Sequence, residues 1–168
     1  MVAGMKALTI AQPYASLIAC GEKQIETRSW PPSLHLIGET IAIHAARPDA
    51  LRILQNRIER DAAEQALGSP FQAWHDRLTF SAIICTVTVA GVYQIEDYDP
   101  RSHELTLTEN QIVGSPPRSG FYDVAFGYFK PGMWAWLLTD IKQVGPYPHP
   151  RGQLRLWNWN EEHSRAPS

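Results

Sequence analysis

Gln12-Pro13-Tyr14-Ala15-Ser16-Leu17-Ile18-Ala19-Cys20-Gly21-Glu22-Lys23-Gln24-Ile25-Glu26-Thr27-Arg28-Ser29-Trp30 changes its periodicity part-way along. Pro13 suits the first turn of a helix, where its missing N–H would be unpaired anyway. Tyr14, Leu17 and Ile18 follow at helical spacing, and Gly21 stands where a left-handed stop is wanted. From Glu22 to Trp30 the side chains alternate as in a strand. Glu26 and Arg28, two apart, then share one face, and Lys23 leans over that face from the turn. A short helix thus carries the chain from a first strand at Lys6–Ile10 into a second at Glu22–Trp30.

Working outward, Pro31, Pro32 and Gly38 bracket a loop. Glu39–Ala46 has Ile41, Ile43 and Ala45 on one face and Ala42, His44 and Ala46 on the other, the pattern of a strand buried on both sides. Pro48 and Asp49 open the one long helix. It turns Leu51, Leu54, Ile58 and Ala62 inward and Arg52, Gln55, Arg57 and Glu59 to water, and Gly68 and Pro70 end it. Phe80–Ile95 is a long β-branched strand with Gly91 as a bulge. Asp97–Pro131 is polar and turn-rich and reads as an extended loop with short ordered pieces, a kind of segment that often carries function. Met133–Val144 and Leu154–Trp159 are the last strands. The expectation is an α+β fold: five to six strands in a small, partly closed β-barrel, with one long helix and one or more short ones. No repeat or linker divides the chain, so residues 1–168 read as a single domain with a core of about residues 5–159.

A hydrophobic content of 44% and a charged content of 19% belong to a globular chain rather than a disordered one. The net charge of −2 excludes a protein that coats nucleic acid through bulk charge, so any such contact is made by a few cations in a cleft. No apolar run reaches the roughly 18 residues of a membrane span. The first residues lack a secretory pattern, so a cytoplasmic location is expected. Cys20 and Cys85 lie in apolar sequence and read as buried free thiols. The histidines lack metal-ligand spacing, and neither a Gly-rich phosphate loop nor a Ser–His–Asp pattern occurs; no metal or cofactor is expected.

Gly21-x-Lys23-x-x-Glu26-x-Arg28 places a carboxylate and two donors where they can surround a small polar ligand. On spacing alone, a solvated strand with incidental ion pairs is the more ordinary explanation. Trp134 with Trp136, and Trp157 with Trp159, each put two rings on one strand face, and strand packing accounts for most of them. Base stacking is the functional alternative, and Trp30, beside the cations, suits it best. His44 reads as a hydrogen-bonded core histidine. At Arg151-Gly152 the glycine lets a ligand approach the backbone, and the arginine suits a phosphate or carboxylate.

The same string resembles the G-x-K-x-x-E-x-R signature of the ASCH domain family. Gln12-Pro13-Tyr14-Ala15, Ile41-Ala42-Ile43-His44-Ala45-Ala46, Phe126-Gly127 through Pro131-Gly132-Met133-Trp134-Ala135-Trp136, and Arg151-Gly152-Gln153-Leu154-Arg155-Leu156-Trp157 look like its bacterial and phage branch. The resemblance implies a PUA-like β-barrel with a cleft beside the signature, and recognition of RNA or a modified nucleotide. Some relatives are plain nucleic-acid binders, one branch is ribonuclease-like, and another hydrolyses acylated cytidine nucleosides. That last branch carries a threonine nucleophile where this chain has Glu26. Lys23 is retained, while Thr27 points to the other face of the strand. The branch's further acidic residue has no counterpart by motif, with Glu96 and Asp97 as the candidates.

The resulting expectation is a module for single-stranded RNA or one nucleotide. Its ligand-binding residues are Gln12, Tyr14, Lys23, Glu26, Arg28, Trp30 and Arg151, lining one concavity. Arg28 and Lys23 meet phosphate or base acceptors, and Glu26 accepts from an exocyclic amine or a sugar hydroxyl. One alternative is a small hydrolase of RNA or an acylated nucleoside with Lys23 and Glu26 as its catalytic pair. Another is a protein-interaction module with a vestigial cleft. A carboxylate between two cations serves better as an acceptor than as a base, which favours recognition over turnover.

Overall fold

Parallel strands cannot be joined by a hairpin, because the chain must cross back over the sheet between them. In the computed structural model, which describes residues 4–102, 104–108 and 126–160, that crossing carries the site. Strand β1 (Met5–Ile10) pairs in parallel with β3 (Thr40–Ala45). Between them lie helix α1 (Tyr14–Ala19) and the short strand β2 (Ile25–Arg28). Strand β4 (Ala82–Asp99) runs antiparallel to β3 and to β6 (Trp134–Pro148), β2 pairs with β6, and β7 (Leu156–Trp159) pairs with β1. The order is β2-β6-β4-β3-β1-β7, and β5 (Glu104–Leu107) folds back on the far end of β4. The register of β4 against β6 shifts between Val89 and Gly91, where a bulge was expected.

The α+β expectation holds, with two amendments. The sheet has seven strands rather than five or six, because β5 forms inside the stretch read as loop; Leu105 and Leu107 pack there beside Ile95 and Phe129. Residues 109–125 of that stretch lie outside the described residues. The ladder also has two ends, β2 and β7, and is not closed into a barrel. Side chains span the seam instead. The Arg28 guanidinium on β2 donates to the Thr9 carbonyl of β1 at 2.9 Å, and the Arg155 guanidinium, just before β7, lies 5.3 Å from the Trp30 ring centre. Inside this curl, Leu8, Ile10, Ile43, Val87, Val89 and Trp136 form one core with Ala15 and Ile18 of α1.

The long helix begins later than expected. Pro48–Ala50 makes a single 3-10 turn, and α2 covers Arg57–Leu67. The Asn56 side chain caps it by accepting from the Ile58 and Glu59 amides. The Arg52 amide donates to the Gln12 carbonyl, which ties the preceding segment to the β1–α1 connection instead of to a helix. A short helix α3 (Trp74–Arg77) follows, with Trp74 buried under α2. Cys85 is buried, but Cys20 is exposed: it follows the last turn of α1, with its thiol on the Leu17 carbonyl. Among the described residues no helix is long and apolar enough to cross a membrane.

His44 is fully buried, and its Nε2 lies 2.8 Å from the His149 carbonyl, so the expected core role is met. Over it runs the loop that returns the chain to β7. Gly152 touches β1 so closely that a Cβ there would lie 2.7 Å from Thr9 Cγ2 and 2.8 Å from His44 Nδ1. Gly152→Ala is therefore expected to destabilise the fold by about 1–3 kcal/mol through overpacking. A urea titration reads this directly, and an unchanged midpoint would mean that the loop does not pack against Thr9 and His44.

Candidate functional site

Gly21 takes a left-handed φ of 86°, and the amides of Glu22 and Lys23 both donate to the Leu17 carbonyl. This closes α1 and turns Lys23 back into the protein. The Lys23 side chain is only 2% exposed. Its ammonium donates to the Ile25 carbonyl and to the Phe126 carbonyl at 3.1 Å, and lies 3.4 Å from Glu26 Oε2. An ammonium has three N–H donors, and these three acceptors use them all. The Nζ also stands 5.5 Å from the centre of the Tyr14 ring. Burial lowers the Lys23 pKa from its ordinary value, with Glu26 pulling the other way. Lys23 organises the site from beneath; the expectation that it reaches a phosphate does not fit this geometry.

Glu26 lies opposite Trp136, and Arg28 opposite Trp134, in the antiparallel pairing of β2 with β6. Opposed residues share a face, so the carboxylate and guanidinium rise beside these two indoles. Glu26 Oε1 holds an Arg28 terminal nitrogen at 3.2 Å, and that nitrogen also donates to Thr9. Arg28 keeps a quarter of its side chain exposed. Two donors on this face are buried with no partner: Nε of Arg28 and Nε1 of Trp136. Thr27 points the other way, its hydroxyl donating to the Tyr128 carbonyl at 3.0 Å.

Glu59 is the residue that sequence reasoning missed. Helical spacing puts it on the wet side of its helix, yet its Oε1 accepts from the Tyr14 hydroxyl at 3.1 Å and from the Gly127 amide at 3.2 Å. Burial, and then the Glu59 charge, push the Tyr14 pKa well above the usual tyrosine value. No motif marks Glu59, because its partners come from distant segments. Glu96 and Asp97, the candidates for a second carboxylate, are exposed on the β4–β5 hairpin.

The remaining expected residues divide. Tyr14 joins Lys23 and Glu59. Trp30 is half-buried and meets Trp136 edge-on, with ring centres 5.1 Å apart. Arg151 is exposed, and its neighbour Gly152 lies against Thr9, the residue whose carbonyl holds Arg28. Gln12 is fully buried and engaged: its amide donates to the Thr79 carbonyl at 2.6 Å and its oxygen accepts from the Ser16 amide at 2.9 Å. It fixes the start of α1 and does not face a ligand. A groove of about 440 Å3 opens elsewhere, lined by Ser16, Cys20, Ile84, Gln143 and Pro146 among others. Its lining includes none of the charges that converge around Glu26.

The ASCH domain family matches residues 8–125, a stretch that runs from β1 through the signature and Glu59. The chain belongs to the ASCH domain family. Its open sheet and few short helices make a small PUA-like α+β fold. No curated protein matches the chain. ASCH membership fits a nucleic-acid-binding role. Within the ASCH signature the residues differ in exposure: Lys23 and Glu26 are buried, while Arg28 reaches solvent.

Removing one partner of a buried ion pair strands the other's charge. Lys23→Met is expected to lower stability by about 3–5 kcal/mol. Lys23→Met with Glu26→Gln should recover part of that loss, because the stranded carboxylate is gone. Denaturant unfolding of both variants checks this. A Lys23→Met protein as stable as the parent would mean that the ammonium is not buried as described.

Proposed function

We propose that this ASCH protein binds a short single-stranded RNA segment or one nucleotide at the seam between β2 and β1. The observation that carries the reading is Arg28: its guanidinium is fixed by Glu26 and the Thr9 carbonyl, reaches solvent, and keeps an Nε without a protein partner. A guanidinium held in this way meets phosphate or a base carbonyl with little loss of freedom on binding. Glu26 has lone pairs beyond those taken by Lys23 and Arg28, enough to accept from an exocyclic amine or a sugar hydroxyl. Trp30 offers a stacking face, and the exposed Arg151 is a further cation for the ligand in this reading. In this reading the protein works in the cytoplasm.

Recognition without turnover follows from the burial of Lys23. A general base must reach the proton that it abstracts. The lowered pKa of Lys23 favours proton transfer, and its saturation by three protein acceptors opposes it. Access decides between them. Purified protein is expected to release negligible acetate from N4-acetylcytidine, as measured by chromatography; robust turnover lost in Lys23→Ala would establish the hydrolase instead.

Binding to a labelled single-stranded RNA is expected to weaken only shallowly with salt, with a log–log slope of roughly −1 to −3 for a few phosphate contacts. Arg28→Ala should weaken it about ten-fold or more, the size of a charged hydrogen bond. Arg28→Lys should restore little, because the planar fork is lost. A steep slope that survives Arg28→Ala would assign binding to a diffuse basic surface elsewhere.

A further inference from the structure

Arg155 precedes β7 in a left-handed backbone conformation, φ 58°, that residues with a Cβ rarely adopt. Residues 151–155 are all exposed, and the loop is anchored behind them by Gly152 against Thr9 and His44. From this exposed position the Arg155 guanidinium lies 5.3 Å from the centre of the Trp30 ring. The ring is braced on another side by its edge contact with the fully buried Trp136. Trp30 is therefore fixed, and its cover is a long, solvated side chain. Stacking on an exposed cation of this kind is weak. Strained backbone concentrates at functional sites. Arg28, two residues before Trp30, keeps a quarter of its side chain exposed and offers a cation close by along the chain.

We infer that Arg155 is a gate on the Trp30 face: its guanidinium occupies the surface on which a nucleobase stacks, and the base binds by taking its place. This rests on the nucleic-acid reading of the site and adds to it a base subsite with a built-in competitor. The guanidinium and the indole are too close to admit a ring between them, so the base replaces Arg155 instead of inserting beside it. Arg28, two residues before Trp30, then meets the acceptors of the same nucleotide. Glu26, the carboxylate of the site, is paired with Lys23 and Arg28.

The test compares hexauridylate with an abasic hexamer of the same backbone. Arg155→Ala should bind hexauridylate about two- to five-fold more tightly, the equivalent of an exposed cation–π contact removed as competitor. Its affinity for the abasic strand should not change. Trp30→Ala should make the two strands bind alike. Because Trp30→Ala also removes the contact with Trp136, the Arg155→Ala comparison decides, its side chain being exposed. The Trp30 indole N–H resonance, assigned by its loss in Trp30→Phe, should shift with hexauridylate and stay in place with the abasic strand. If Arg155→Ala weakens both strands equally, Arg155 is a phosphate contact and the gate is wrong. If it changes neither, the gate is wrong while RNA binding stands. If wild-type protein binds neither strand, the nucleic-acid reading itself falls, and the gate with it.

Discussion

The burial of the Lys23 ammonium is the constraint from which the rest of the site follows. An ion taken out of water loses several kcal/mol unless every donor is met. Here the acceptors come from three places: the backbone of β2 at Ile25, the signature's own Glu26, and the distant carbonyl of Phe126. Meeting them pins the Phe126–Gly127 backbone beside β2. Gly127 then donates to Glu59, and Glu59 holds the Tyr14 hydroxyl on α1. One buried cation thereby joins α1, α2, β2 and a segment a hundred residues away. Glu26, oriented from beneath by Lys23, orients Arg28 above.

The proposed site lies where the sheet is not closed. A ladder that ended at β2 and β7 with nothing between would leave two bare edges, a liability in any sheet. In this protein the gap is bridged by Arg28 on the Thr9 carbonyl and by Arg155 over Trp30. Side-chain bridges differ from backbone pairing in one respect that matters: they can be exchanged for contacts to a ligand without unfolding a strand. The seam is therefore both a structural closure and a place where polar and aromatic groups are presented together. The same economy explains Gln12, whose side chain is consumed in fixing the start of α1.

Much of this was legible in the sequence. The change of period between Tyr14 and Arg28 gave the helix, the glycine stop and the strand that holds Glu26 and Arg28 on one face. The bulge at Gly91 and the two-sided burial of Ile41–Ala45 were equally readable, because each is a local signal. The misreadings have physical causes. Pro48-Asp49 is a good helix start by composition, but Asn56 is a better cap, and the Arg52 amide is taken by Gln12. Short ordered pieces are expected in Asp97–Pro131, but β5 cannot be located among them, because a four-residue edge strand of Glu, Leu and Thr has little pattern of its own. The lean of Lys23 over the Glu26 face was legible, but its burial depends on the Phe126 carbonyl and could not be read from residues 21–28. Glu59 was placed in solvent for the same reason, its partners being tertiary.

In the proposed site the two cations divide the labour: Lys23 is saturated and structural, and Arg28 is the one offered to the ligand. Nitrogen-detected magnetic resonance of the Lys23 Nζ and Arg28 Nε groups, followed during addition of a single-stranded RNA, tests it most directly. The Arg28 Nε–H signal is expected to move on binding while the Lys23 ammonium signal remains charged and unmoved. A Lys23 signal that shifts or loses its proton as RNA is added, with Arg28 unchanged, would contradict it.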